Sequence, residues 1–161
     1  YDTASNPEGN YLTLGPEIYE QSGCDITHFV AALGTSGTCM GVTRRLREDA
    51  PRVRCISAQP STGFHGIEGT KHMPTAIVPG IYDPTIVDDN LWIDTEDAHT
   101  MTRRVAREEG VLVGVSAGAN VYAAVKVAKQ IHAAGQQGVV VTILCDGADK
   151  YLSEHFWDDP D

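Results

Sequence analysis

The chain has 161 residues, 42% hydrophobic and 21% charged, which suffices for one packed core and argues against wholesale disorder. Its 22 acidic and 12 basic side chains give a formal charge of −10, which opposes a nucleic-acid partner through repulsion of the phosphates. No apolar run reaches the length of a membrane span, and no signal peptide opens the sequence. Four cysteines, Cys24, Cys39, Cys55 and Cys145, lack C-x-x-C spacing, so a reduced, cytoplasmic protein is expected over a disulfide scaffold.

Residues 1–14 mix Asn, Pro, Gly, Ser and Thr with tyrosines and read as an irregular lead-in. Gly15-Pro16-Glu17-Ile18 starts a short helix that ends near Ser22-Gly23. The apolar run at 27–33 reads as a buried strand, 34–38 as a loop, and the following stretch as a helix to about Ala50. Pro51 stops that helix, and residues 52–58 alternate into a second strand, completing a βαβ unit whose crossover implies a parallel sheet.

Residues 59–90 carry eight glycines and prolines without periodicity, a loop length that is usually functional. Residues 91–93 suggest a short strand. Thr95 suits an N-cap, with Glu96 and Asp97 in the first turn. Ala98, Met101, Val105 and the aliphatic stem of Arg104 mark an inward helical face, ended by Gly110. A buried strand is expected at 111–113. A helix should follow on Val121, Ala124, Val125, Ala128 and Ile131, then a strongly β-branched strand at 139–144. The arginine clusters Arg44-Arg45-Arg47 and Arg103-Arg104-Arg107 read as solvated helix faces among acids. The expected architecture is a single α/β domain over 1–161, an open, mostly parallel sheet with helices on both faces.

In such sheets ligands bind beyond the carboxyl ends of the strands, where both glycine-rich loops fall. Gly34-Thr35-Ser36-Gly37-Thr38 combines two glycines, three hydroxyls and a helix N-terminus, which suits a small anion such as a phosphate. A plain polar turn is the alternative. The loop is neither a Walker A motif nor G-x-G-x-x-G. Gly114-Val115-Ser116-Ala117-Gly118 matches the G-x-S-x-G nucleophile elbow, with Asp146 or Asp149 and then His155 as candidate partners. A serine hydrolase is therefore a competing reading. The short serine-to-acid spacing and the missing H-G-G-G-type segment weigh against it.

Taken together, the two loops resemble those of fold-type II pyridoxal-phosphate enzymes, the cysteine synthase and cystathionine β-synthase group. Asn6-Pro7, Tyr11, Gly15-Pro16-Glu17-Ile18 and the close Asp149-Lys150-Tyr151-Leu152-Ser153 are also similar, and Cys145-Asp146 resembles the B-type cysteine synthases. The resemblance implies part of a tryptophan synthase β-like fold with pyridoxal 5'-phosphate as cofactor. It assigns Gly34, Thr35, Ser36, Gly37 and Thr38 to the phosphate and Ser116 to the pyridine nitrogen. A neutral hydroxyl there keeps the cofactor a mild electron sink, favouring β-elimination over transamination.

The implied reaction makes L-cysteine from an O-activated L-serine, acetyl or phospho, and sulfide or another thiol, in a homodimer.

The same resemblance places the Schiff-base lysine upstream of any residue in this chain. Of Lys71, Lys126, Lys129 and Lys150, only Lys71 in the long loop is a candidate to approach a cofactor, with surface exposure the simpler reading. The chain, which opens on Tyr1 without Met, is thus expected to be a C-terminal portion without a catalytic residue. Alone it should hold the cofactor weakly and make no cysteine, with a missing N-terminal half as a candidate partner. Gly66 and Ile67 are the expected substrate-side backbone, against a plain surface connection. His65 and His72 flank them, but two histidines alone do not predict a metal site. Phe156 and Trp157 are expected to cover a core edge or a partner surface. A catalytically inert interaction module of the same fold is the remaining alternative.

Overall fold

The computed structural model describes residues 2–158. Two short helices come first, α1 (Ser5–Leu12) and α2 (Leu14–Gln21). The expected irregular lead-in is largely α1, because tertiary contacts override its weak propensity. Pro7 sits in the first turn, where its missing N–H has no helical partner to lose, and is buried there. The Tyr11 hydroxyl donates to Glu48 at 2.7 Å, and the Arg45 guanidinium lies 5.6 Å over the Tyr11 ring. Helix α2 stops at Gln21, one residue short of the Ser22-Gly23 end read from the sequence.

The core unit is β1 (His28–Ala32), α3 (Gly37–Asp49) and β2 (Arg54–Pro60), followed after the long loop by β3 (Asp89–Ile93). Helix α4 (Thr95–Arg104) runs on into a π-type turn at Val105–Glu109, which Gly110 ends in a left-handed conformation. Asp94, not Thr95, takes the cap position. Helix α5 (Val115–Ala133) and β4 (Val140–Thr142) complete the order. All ladders are parallel, and the sheet order is β3-β2-β1-β4. The α/β architecture with a parallel sheet and helices on both faces is as expected.

Alternation along the strands builds a core on each face. Val30, Ile56, Ala58, Leu91 and Ile93 pack under α4 and α5. Phe29, Ala31, Leu33 and Cys55 turn the other way, onto Ile18 of α2 and Met40, Val42 and Leu46 of α3. Phe29, Leu33, Met40 and Leu46 are fully buried, each contributing about 1.5–3 kcal/mol of transfer free energy.

Four expectations need correction. Residues 111–113 form no ladder strand. Val111 and Leu112 are 43% and 61% exposed, and only Val113 is buried, with one antiparallel bridge to Gly147. An apolar triplet without a neighbouring strand has nothing to pair with. The innermost stripe of α5 is Ala119, Ala123, Val127 and Ile131 rather than the valine-led set. Val121 and Val125 instead face Met101, Val105 and Ala117, Ala124 packs beside the stripe, and Ala128 is exposed. Finally, Arg103 is buried instead of solvated, its guanidinium donating to the Phe156 carbonyl at 2.8 Å and to Thr100 Oγ1 at 3.2 Å. Arg104, whose stem was expected inward, points out to Glu108. Phe156 does close a core edge, stacked on His99 at 4.5 Å between ring centroids.

Two polar contacts fix the strands. Asn120 of α5 is fully buried; its Oδ1 accepts from Ala32 N at 2.6 Å, and its Nδ2 donates to the Ile143 carbonyl at 2.8 Å. Replacing it by leucine leaves both backbone groups unpaired. Asn120→Leu is therefore expected to lower stability by about 2–4 kcal/mol in urea unfolding.

Asp88 Oδ2 accepts from both Arg47 Nη2 and Cys55 N at 2.7 Å, tying α3 to β2. Burial pushes this carboxyl up, but the guanidinium and the backbone donor outweigh it and hold it below the ordinary range. The unfolded chain then takes the proton first, so the contribution is full at neutral pH. It is lost as pH falls from about 4 through the lowered folded value. Asp88→Asn should cost about 1 kcal/mol at pH 7, and urea unfolding at pH 3 should show a smaller difference from the parent chain.

Candidate functional site

A cleft of about 370 Å3 opens beyond the carboxyl ends of β1 and β4. Its walls are the loop Gly34, Thr35, Ser36, Gly37 and Thr38, the segment Glu68, Gly69 and Thr70, the residue Ser116, and Cys145, Asp146, Lys150 and Tyr151. A larger hollow of about 620 Å3 lies at the other end of the sheet. The smaller cleft is the better site, because it alone sits where two helix N-termini converge on unpaired polar atoms.

Loop 34–38 is held from both sides. Asn6 Nδ2 donates to Thr35 Oγ1 at 3.0 Å. A side chain at Gly37 would collide with that Asn6 amide, and one at Gly34 would collide with the Gly69 carbonyl oxygen. Lys71 N donates to the Leu33 carbonyl at 2.7 Å, so the chain at 66–71 is laced to the end of β1. Ser36 adopts φ 70°, a left-handed conformation that costs a serine about 1–2 kcal/mol. It is 2% exposed, and its Oγ has no hydrogen-bond partner. Its carbonyl meanwhile accepts from Met40 N at 2.8 Å and so starts α3.

The first turn of α3 holds no acidic residue, so nothing there opposes an anion. A strained loop, an unpaired buried hydroxyl and a helix N-terminus together fit a phosphate group.

Ser116 stands in the first turn of α5, largely buried. The Cys145 thiol stands beside its hydroxyl, and Asn120 Nδ2 donates to that sulfur at 3.3 Å. Cys145 is exposed as a residue, but its sulfur is turned inward. That burial pushes the thiol up, and Asp146 adds to the shift, while the Ser116 and Asn120 contacts pull it back. Cys145 thus stays a neutral thiol at neutral pH.

Asp146 Oδ2 accepts from the Tyr151 hydroxyl at 3.0 Å and from Lys150 Nζ at 3.3 Å, while its buried Oδ1 has no partner. Burial, then the bond to Asp146 and its charge, push Tyr151 up to about 12, so the phenol remains a donor.

The structure brings the expected phosphate loop and Ser116 into one cleft. Gly66 and Ile67 do not line it. Ile67 is buried in the core, and Gly66 is bonded to Thr95 Oγ1 through its N–H and lies beside His99 through its carbonyl. The segment enters the cleft two residues later, at Glu68. Lys71 is not among the lining residues either; Lys150 is. Sequence reasoning also missed Asn120, although a lone carboxamide one turn after Ser116 in an apolar helix was a signal. Glu68 and Thr70 carried none.

The nucleophile elbow is not built. No ladder strand precedes Ser116, and Ser36 and Cys24 are the residues other than glycine with positive φ among those described. Two histidine-flanked positions in the long loop form no metal cluster among the described residues.

A parallel α/β sheet that brings a hydroxyl-rich loop and a neutral serine to one cleft is suited to a phosphorylated ligand. Residues 1–146 match the family described as pyridoxal-phosphate dependent enzyme, and the chain belongs to that family. It is 40% identical to the cysteine synthase of Aquifex aeolicus (strain VF5) over 161 residues, covering 100% of this chain and 49% of that protein. It is 42% identical over 162 residues to cysteine synthase B of Escherichia coli (strain K12), covering 97% of this chain and 52% of that protein.

Among solved structures, O-ureido-L-serine synthase superposes with a TM-score of 0.89 at 33% identity, over 100% of this chain and 52% of that one. Cysteine synthase from Entamoeba histolytica gives 0.87 at 29% identity, over 99% and 48%. The chain thus spans about half the length of the curated relatives it matches. Pyridoxal phosphate is the family's cofactor, and the cleft fits its phosphate.

Ser36→Gly relieves the left-handed strain and deletes the unpaired hydroxyl. It should raise the unfolding free energy by up to about 1 kcal/mol. The same change should weaken inorganic phosphate binding, read by 31P NMR, by about tenfold or more.

Proposed function

We propose that this chain forms the phosphate and ring-nitrogen side of the active site in an enzyme that makes L-cysteine from an O-activated L-serine and sulfide or another thiol. The observation that carries the reading is the convergence of loop 34–38 at the start of α3 and Ser116 at the start of α5 on one cleft. When bound, pyridoxal phosphate supplies an electron sink for breaking bonds at the substrate's α and β carbons. The chain's own residues hold and orient it. The loop hydroxyls and the N–H groups of the first α3 turn take the phosphate dianion without a lysine or arginine. Ser116 meets the ring nitrogen with an uncharged oxygen, which cannot keep a proton on that nitrogen as a carboxylate would. That favours loss of a β substituent over transamination.

Asn120 Nδ2 donates to the Cys145 sulfur, which stands beside the Ser116 hydroxyl. Asp146 holds Tyr151 and Lys150 along the opposite wall. Lys150 is the lysine that lines the cleft, and its ammonium is committed to Asp146. We infer that the lysine joined to the cofactor comes from a portion of the enzyme outside this chain.

The test is Ser116→Asp in the enzyme assembled with that portion. A carboxylate at the ring nitrogen should lower cysteine formation from O-acetyl-L-serine and sulfide by about tenfold or more and shift the cofactor's absorbance. Unchanged rate and absorbance would remove Ser116 from this role. Labelling of Ser116 by a fluorophosphonate would favour a hydrolase instead.

A further inference from the structure

The formal charges that line the cleft do not balance. They are those of Glu68, Asp146 and Lys150. Lys150 Nζ pairs with Asp146 at 3.3 Å, which sets one cation against one acid. Cys145 stays a neutral thiol, since burial pushes it up. Tyr151 stays a neutral phenol at about 12, raised by burial and Asp146, with the charge of Glu68 adding to the shift. Glu68 is thus the unbalanced charge on this chain's side of the site, and it acts on the wall that carries Tyr151.

Backbone contacts hold Glu68 at the cleft. Ile67, just before it, is buried in the core, and Gly69, just after it, turns the chain with φ 79°. Thr70 Oγ1 donates to the Ile67 carbonyl at 2.6 Å, and the Gly69 carbonyl oxygen lies against Gly34 of the anion loop. The Glu68 side chain is exposed and takes no hydrogen bond or ion pair from any described residue. A carboxylate fixed in place by its neighbours, with no partner of its own, acts electrostatically on whatever enters the cleft.

We infer that Glu68 is a specificity-determining residue that turns away co-substrates bringing negative charge to the cleft beyond the cofactor's phosphate. The inference rests on the cysteine-forming reading and narrows it. In that reaction the Cβ–O bond of the activated serine breaks, and its electron pair leaves with acetate or phosphate. The Cβ–S bond forms from the thiol sulfur, and the thiol proton goes to the departing acid or to solvent. The group that leaves and the thiol that arrives both vary in charge, so both are subject to repulsion by Glu68. Over about 6 Å of water, one charge acting on a dianion changes an equilibrium by about tenfold. Acetyl activation is therefore favoured over phospho activation, and a thiol bearing an amine over one bearing a carboxylate.

The test uses the enzyme assembled with the portion outside this chain, with two probe thiols of similar size, cysteamine and mercaptoacetate. With O-acetyl-L-serine they give the corresponding S-substituted cysteines. Glu68→Gln should lower the ratio of kcat/KM for cysteamine to that for mercaptoacetate by about tenfold. It should lower the ratio for O-acetyl-L-serine over O-phospho-L-serine, with sulfide, by about as much. Glu68→Lys should move both ratios further in the same direction. Glu20→Gln removes an equal charge at the exposed end of α2 and should move neither. In the parent enzyme, about 1 M salt shortens the screening length to about 3 Å and should bring both ratios towards those of Glu68→Gln. Ratios that stay within about twofold of the parent in both Glu68 variants overturn the inference. So does a loss of rate shared equally by both thiols, which marks a structural role. Either result, obtained while cysteine still forms from O-acetyl-L-serine and sulfide, leaves the proposed reaction standing. An assembled parent enzyme that forms no cysteine from either activated serine overturns both.

Discussion

Asn120 spreads one buried carboxamide between the end of β1 and the end of β4, and the candidate site depends on that bridge. Its oxygen holds Ala32 N, two residues before the anion loop, and its nitrogen holds the Ile143 carbonyl, two residues before Cys145. Because Asn120 lies one turn beyond Ser116 on α5, the same contact sets where the serine stands relative to both strand ends. An apolar residue could fill the volume but could not satisfy two backbone groups, and unpaired groups at that depth are costly.

The cleft thus framed offers an anion very little formal positive charge. The donors are hydroxyls and helix N-termini, which act by fixed dipoles and need no counter-ion. Ser36 stores the strain of this arrangement, in a conformation that glycine would adopt freely, with a hydroxyl that has no partner within the protein. Across the cleft one oxygen of Asp146 is held by Tyr151 and Lys150. The one cation on this wall is committed to the acid beside it.

The sheet places this cleft at its carboxyl end and β4 at one lateral edge. Both properties come from strand order. Placing β1 in the interior between β2 and β4 buries the strand that feeds the anion loop, and it puts the β-branched β4 outermost.

Much of this was legible in the residues themselves. Apolar alternation, Pro51, Gly110 and the two glycine-rich loops located β1, α3, β2, α4 and α5 to within a few residues, because they encode local preferences and burial period. The anion loop and Ser116 were identifiable for the same reason, as short patterns at strand-to-helix junctions. Other features depended on which segments meet. Helix α1 forms because α3 offers it a surface, residues 111–113 fail as a strand because no neighbour accepts them, and Arg103 is drawn inward by a carbonyl 53 residues away. The same holds for Glu68 to Thr70 standing in the cleft where Gly66 and Ile67 were expected. Sequence alone determined the strand-loop-helix units and the chemistry at their junctions, since these follow from neighbouring residues. Only the tertiary structure decided that the two junctions face one cleft, since strand order is set by packing between residues far apart in the chain.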